Sequence, residues 1–174
     1  MINPLSNPCS LCTALCCKNY VITVTSFDIL RIMEKTGKKP EEFVLLSEAR
    51  LLNLDNDAVL ECYDGKERYD YLLTFKSHPC YFLGDDNNCT IHEFAPLGCR
   101  LYPHNSNGKV MPRALCPTIP KILFKIRGSD VKTQAYLNQM NDYKKIVAKW
   151  NALHGRKEDC LEFLLRESEK YKLL

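Results

Sequence analysis

The sequence predicts a small α+β protein, with a core of short strands and helices in residues 1–117 and a helical C-terminal extension, residues 118–174, packed on it. Three observations predict this. In the first part, short runs rich in β-branched and aromatic residues are broken by turn residues. From Thr118 onward the apolar residues recur instead at helical spacing. The cysteines follow the same division, since all but Cys160 fall before residue 117.

The elements follow in order. Residues 1–18 form a cysteine-rich loop, and Asn19 to Thr25 reads as a strand. Ser26 can cap a helix from Phe27 to Thr36, with Ile29, Leu30 and Met33 on one side and Gly37 as its stop. Pro40 opens a short turn that runs to Leu45. Residues 47–61 carry no clear period, but Val59 to Tyr63 and Tyr69 to Phe75 pair as a hairpin around Asp64-Gly65. Cys80 to Leu83 and Cys89 to Ile91 are short extended pieces around the polar turn from Gly84 to Asn88. Asn107-Gly108 marks a further turn, with Lys109 to Leu115 extended after it. Thr118 to Ile126 reads as helical, with Pro120 in its first turn. Ser129 can cap a long helix to Leu153 whose apolar positions are Val131, Ala135, Leu137, Tyr143, Ile146, Val147 and Trp150. A last helix from Lys157 to Leu173 carries Cys160, Leu161, Phe163, Leu164 and Leu165.

A chain of 174 residues is long enough to bury a core. Its 45% hydrophobic and 26% charged residues are those of an ordinary soluble domain. Met1 to Pro8 lacks the apolar run of a secretory signal, and no stretch approaches the roughly 18 apolar residues of a membrane span. A cytoplasmic protein with no membrane contact is therefore expected. Disulfides rarely persist in that compartment, so clustered cysteines read as metal ligands or redox groups. The formal net charge of +3 counts the thiols as neutral. Eight thiolates and two divalent ions would bring the loaded chain to about −1. The basic balance thus argues little for a nucleic-acid partner, and no aromatic residues interleave with a basic patch.

Eight cysteines form the chemical constellation. The first group is Cys9-x2-Cys12-x3-Cys16-Cys17. The second is Cys80-Tyr-Phe-Leu-x5-Cys89-Thr-Ile-His92-x6-Cys99-Arg100-Leu-Tyr102-Pro103, and Cys116 stands alone before Pro117. Two residues between cysteines let both sulfurs face one ion about 2.3 Å away. Adjacent side chains in extended backbone point apart, so Cys16 and Cys17 are expected to serve two different centres. Eight cysteines divide into two four-sulfur sites, or into an iron–sulfur cluster and a zinc site. The fold is then a small metal-centred core, stapled by about two metal centres. Sulfur ligands suit zinc and iron alike, while the apolar neighbours Leu11, Leu15, Tyr81, Phe82 and Leu83 would shield a cluster. Cys160, among apolar helical residues, reads as a buried core residue, and Cys62 lies in a strand outside the pattern. His92 is embedded in the second group, as a ligand, an outer hydrogen-bond partner or a helix-start histidine. Arg100 can offset thiolate charge or take an anion.

At these residues the chain resembles the YkgJ-like cysteine-cluster family, described as zinc- or iron-chelating. The matching residues are Cys9 to Cys17, Cys80 to Leu83, and Cys89-Thr-Ile-His92-Glu-Phe-Ala-Pro96-Leu-Gly-Cys99-Arg100-Leu-Tyr102-Pro103. Thr25-Ser-Phe-Asp28-Ile-Leu-Arg31-Ile is typical of it too. Ala95 stands where the family usually has arginine, and Thr13 follows Cys12 where a glycine is usual. The resemblance implies metal binding. A branch of the family is similar to flagellin lysine N-methylases, but that branch carries additional sequence.

Three functional readings follow. The first is a metal- or cluster-binding module for electron transfer, metal handling or assembly with a protein partner. The basic residues Lys132, Lys144, Lys145, Lys149, Arg156 and Lys157 of the helical arm would be its docking face. The second is an enzyme for methyl transfer or redox chemistry. With seven glycines the chain has no G-x-G nucleotide loop, and Asn19 stands where a radical-adenosylmethionine enzyme would place its third cysteine. The third is a nucleic-acid-binding zinc module, which the charge balance weakens.

Overall fold

The described residues open with a short helix and close with a helical pair. The computed structural model describes residues 13–51, 56–104, 109, 111, 115 and 130–172. Helix α1, Leu15–Asn19, begins after Ala14 in the left-handed conformation (φ 59, ψ 34) and stops where Tyr20 turns extended (φ −110, ψ 138). Asn19 Nδ2 donates back to the Leu15 carbonyl at 2.7 Å. The strand expected from Asn19 to Thr25 is therefore cut short. Asn19 belongs to α1 and Thr25 to the next helix cap, which leaves Ile22 to Val24 to bridge the sheet. They do so through Val24 N to Leu73 O at 3.0 Å and Phe75 N to Ile22 O at 3.0 Å.

Helix α2, Ser26–Thr36, is capped by Thr25 rather than Ser26. The Thr25 hydroxyl accepts the Asp28 amide and the Asp28 carboxylate accepts the Thr25 amide, a capping box. Ser26 is buried and bonds the Ser168 hydroxyl at 2.6 Å instead. Gly37 ends the helix as expected, with φ 69. Ile29 and Ile32 are fully buried on its inner face, each worth roughly 1.5–3 kcal/mol of burial.

Helix α3, Pro40–Phe43, leads directly into strand β1, Val44–Glu48. The expected turn ran into the first residues of this strand. Strands β2, Leu60–Asp64, and β3, Glu67–Phe75, form the expected hairpin, with Asp64 opposite Glu67 across the two-residue loop. The antiparallel sheet runs β1-β3-β2. β1 pairs with the end of β3, from Val44 opposite Phe75 to Glu48 opposite Tyr71, and β2 pairs with its beginning. The Ile22–Val24 segment therefore lies on the β2 side of β3, past the end of β2.

Helix α4, Leu97–Leu101, is a five-residue helix. Helices α5, Asp130–Leu153, and α6, Lys157–Lys172, make the C-terminal pair. On α5 the stripe Tyr143, Ile146, Val147 and Trp150 is buried, at the i, i+3, i+4, i+7 spacing of an amphipathic helix, while Ala135 is exposed. Cys160 and Leu164 of α6 are fully buried against it, and the Trp150 and Phe163 rings lie 5.3 Å apart. At the α5–α6 turn, a Cβ on Gly155 would meet the Trp150 indole at 2.3 Å, so only glycine fits. The outer edge of β2 is closed by this turn. Asn151 Oδ1 accepts Glu61 N at 3.0 Å, Asn151 Nδ2 donates to Val59 O at 2.9 Å, and Gly155 O accepts Tyr63 N at 2.9 Å. The helical pair and the sheet share one hydrophobic core.

The fold class is small α+β, with a three-stranded sheet and a helical C-terminal region. Ser129, the stretch Thr118 to Ile126, the Asn107-Gly108 turn and the boundary between residues 117 and 118 lie outside the described residues. No helix among the described residues is long and apolar enough to cross a membrane.

Candidate metal centre

The first thiols sit on α1. Because Cys16 and Cys17 are helical rather than extended, their side chains do not point apart, and their sulfurs lie 3.9 Å apart. Two thiolates on one tetrahedral ion, each about 2.3 Å from it, are about 3.8 Å from each other. The adjacency of these cysteines thus loses its force as a reason for two centres.

Cys80 reaches α1 through the backbone, its amide donating to the Cys17 carbonyl at 2.8 Å. The segment is anchored from below by rings. Phe82 lies 5.3 Å from Phe43 and 5.1 Å from Phe75, which fixes the chain after Cys80 to the end of the sheet. The turn from Gly84 to Asn88 then reverses the chain, closed by Gly84 N to Asn88 O at 2.8 Å and by Asp86 accepting the Asn88 amide at 3.0 Å. Leu83 bridges Cys89 across it, so Cys80 and Cys89 flank one reversed segment. Only Leu83 and Cys89 of the two pieces expected to be extended pair in this way; Cys80 to Phe82 and Thr90 to Ile91 are turns, with Leu83 N donating back to Cys80 O at 2.9 Å.

Cys99 is presented by α4. The carboxylate of Asp28, on α2, accepts the Leu97 amide at the start of that helix at 3.1 Å. Tyr102, just past its end, packs edge-on against Tyr20 beside α1, with centroids 6.0 Å apart. Its hydroxyl also accepts the Leu115 amide. Asp28 and Arg31 were legible only as family-typical residues.

Electrostatics shows that these thiols share one neighbourhood. Cys16 is raised above the ordinary thiol value by its hydrogen bond to Cys17, then by burial. Cys17 is helped toward thiolate by Cys16, yet it is pushed up to about 12 by its hydrogen bond to Cys80, by burial and by the negative charge of Cys80 and Cys89. Burial leads the rise at Cys89, with Cys16 adding to it. Cys99 keeps exposed surface, but protein crowds it closely enough that desolvation leads a large rise, followed by Cys17 and Cys89. The metal-free thiols of Cys16, Cys17, Cys89 and Cys99 are thus protonated at neutral pH. A bound cation would reverse this, because coordinated thiols are deprotonated. Among the described residues, no three Cys, His, Asp or Glu side chains already converge on a point where they could hold an ion. Cys9, Cys12 and Cys116 lie outside the described residues.

Two thiols fall elsewhere. Cys62 and Cys160 are 1% and 0% exposed in the shared core, where Cys160 behaves as the expected buried residue. They neighbour each other, Cys160 holding the Cys62 thiol below its ordinary value and Cys62 raising that of Cys160. His92 is half-buried and starts a 3-10 turn, His92–Phe94, its amide donating to Cys89 O at 3.3 Å. His104 is buried, with Nδ1 3.1 Å from the Leu101 carbonyl, while His78 and Arg100 are exposed.

The sequence profile of the CxxCxxCC family, whose description reads "Putative zinc- or iron-chelating domain", matches residues 8–117. No curated protein and no solved structure matches the chain significantly. The matched segment spans every one of these clustered cysteines and well over half of the sequence, and the chain therefore belongs to the CxxCxxCC family.

Proposed function

We propose that the protein is a thiolate metal-binding module, holding zinc or an iron–sulfur cluster, that serves redox chemistry, metal handling or assembly with a protein partner. The observation that carries it is the approach of separate thiol-bearing segments: the Cys16 and Cys17 sulfurs lie 3.9 Å apart on α1, the Cys80 amide donates to the Cys17 carbonyl at 2.8 Å, and Cys89 bridges Leu83 across the adjoining turn, with Cys99 close enough to feel Cys17 and Cys89. Cys9, Cys12 and Cys116 complete the proposed ligand set. Soft thiolates fit either metal. Zinc would supply a structural staple, and a cluster would supply electron transfer. The 3.9 Å between Cys16 and Cys17 supports placing both on one ion or one cluster, and so a shared centre as readily as two. Exposed Leu15, Tyr20 and Val21, beside the thiols, support a protein partner at that end.

The test is anaerobic purification followed by metal analysis and a visible spectrum. Bound metal is expected, and Cys16→Ser combined with Cys17→Ser should release most of it. Iron with acid-labile sulfide and a broad visible absorption identifies a cluster; colourless protein with zinc identifies zinc. A native chain that carries neither metal and has all its clustered thiols free to react sinks the reading.

A further inference from the structure

We propose that Asp28 is a positioning residue for the metal centre, its buried carboxylate holding the helix that presents Cys99. The inference rests on the reading of Cys99 as a ligand. Asp28 is 2% exposed, and its two oxygens do different work. Oδ2 serves the cap of its own helix, accepting Thr25 N at 3.0 Å and Thr25 Oγ1 at 2.8 Å. Oδ1 serves other groups. It accepts Leu97 N at 3.1 Å, Gln139 Nε2 at 3.0 Å, and Arg31 Nη2. A helix cap alone would need only the first oxygen.

The second oxygen meets a need of α4. A five-residue helix cannot sustain itself, and α4 has no side-chain cap of its own. Its first amide would be an orphan donor, which Asp28 satisfies from α2. Cys99 follows two residues later. Arg31 offsets the carboxylate charge and also holds the entry to α4, donating from Nε to Phe94 O at 3.1 Å and from Nη2 to Ala95 O at 3.2 Å. Gln139 ties the same oxygen to α5, and its Nε2 also reaches Thr25 Oγ1 at 2.8 Å. One carboxylate thus fixes α4 against two long helices.

Leu97→Pro separates positioning from capping. It deletes the amide that Oδ1 accepts and leaves Asp28 and Thr25 intact. Proline is tolerated at a first helical position, and Pro96 (φ −48, ψ 141) already has the conformation a following proline demands. Leu97→Ala controls for the lost side chain, and Ser168→Ala for a general disturbance at α2. The probe is Co²⁺ added to the full-length protein, read by the thiolate-to-cobalt charge-transfer band. The second readout is alkylation of each cysteine in the loaded protein, mapped by peptide mass.

Asp28→Asn and Leu97→Pro should each weaken that band and lower cobalt affinity roughly 10- to 100-fold, the range for outer-shell partners of metal ligands. Cys99 should become reactive while Cys62 and Cys160 stay protected, and both controls should match wild type. Unchanged spectra with Cys99 still protected in both variants overturn the inference. So does Cys99 reactivity that rises only together with Cys62 and Cys160, since that is general loosening. A wild-type chain that shows no thiolate-to-cobalt band and carries no iron–sulfur cluster as purified overturns the metal reading itself, and with it this role.

Discussion

Thr25 and Ser26 stand side by side, and the sequence reading gives the cap of α2 to Ser26. Ser26 is committed to Ser168 in the core, so the cap falls to Thr25, whose hydroxyl touches the Asp28 amide, the Asp28 carboxylate and Gln139. Thr25→Ala is expected to cost about 1–2 kcal/mol, read as a lower urea midpoint with an unchanged slope. At this scale the cysteines were legible as chemistry, because thiols in tight clusters are rare and their spacing is local. The backbone between Cys16 and Cys17 was not legible, since α1 is too short to show a period. Nor was the part played by Asp28. Its partners Leu97 and Gln139 lie 69 and 111 residues away along the chain, beyond the reach of any local pattern.

Among the elements, the β2–β3 hairpin and the long C-terminal helices were read from turn residues and periodicity, which are local. β1 was missed because the apolar run from Phe43 to Leu46 does not alternate and follows directly on a proline-led turn. The basic face of the helical arm also changes character. Lys144 pairs with Asp57 at 3.3 Å, Lys145 with Asp142 at 2.7 Å and Lys149 with Glu167 at 3.3 Å, while the Lys157 ammonium sits 4.3 Å from the Tyr71 ring centre. These cations are engaged within the molecule. Asn151 does for β2 what a neighbouring strand would do, giving it both a donor and an acceptor. Asn151→Ala leaves Glu61 N and Val59 O without those partners, and is expected to lower unfolding stability by about 1–3 kcal/mol in chemical denaturation.

For the whole molecule, the sheet and both C-terminal helices share one core, so stress on the helical pair should register in global melting. Glu167 offers a way to apply it. Its hydrogen bond to Lys170, with Lys149 adding to it, holds the carboxyl below its ordinary value. A lowered carboxyl contributes stability above the ordinary carboxylate range, and that contribution fades as pH falls through the folded value. The melting temperature of Glu167→Gln should therefore fall below wild type at neutral pH, and the gap should close in acid. An equal gap at both pH values would count against this role. The burial of Cys62 and Cys160 has a kinetic consequence. A thiol sealed in the common core reacts with a labelling reagent only when that core opens, so its modification rate is a clock for whole-molecule breathing. Cys99, which keeps solvent contact, runs on a faster clock set by its own site. One chain thus carries two timers, and their ratio separates the loss of a bound ion from the loss of the fold.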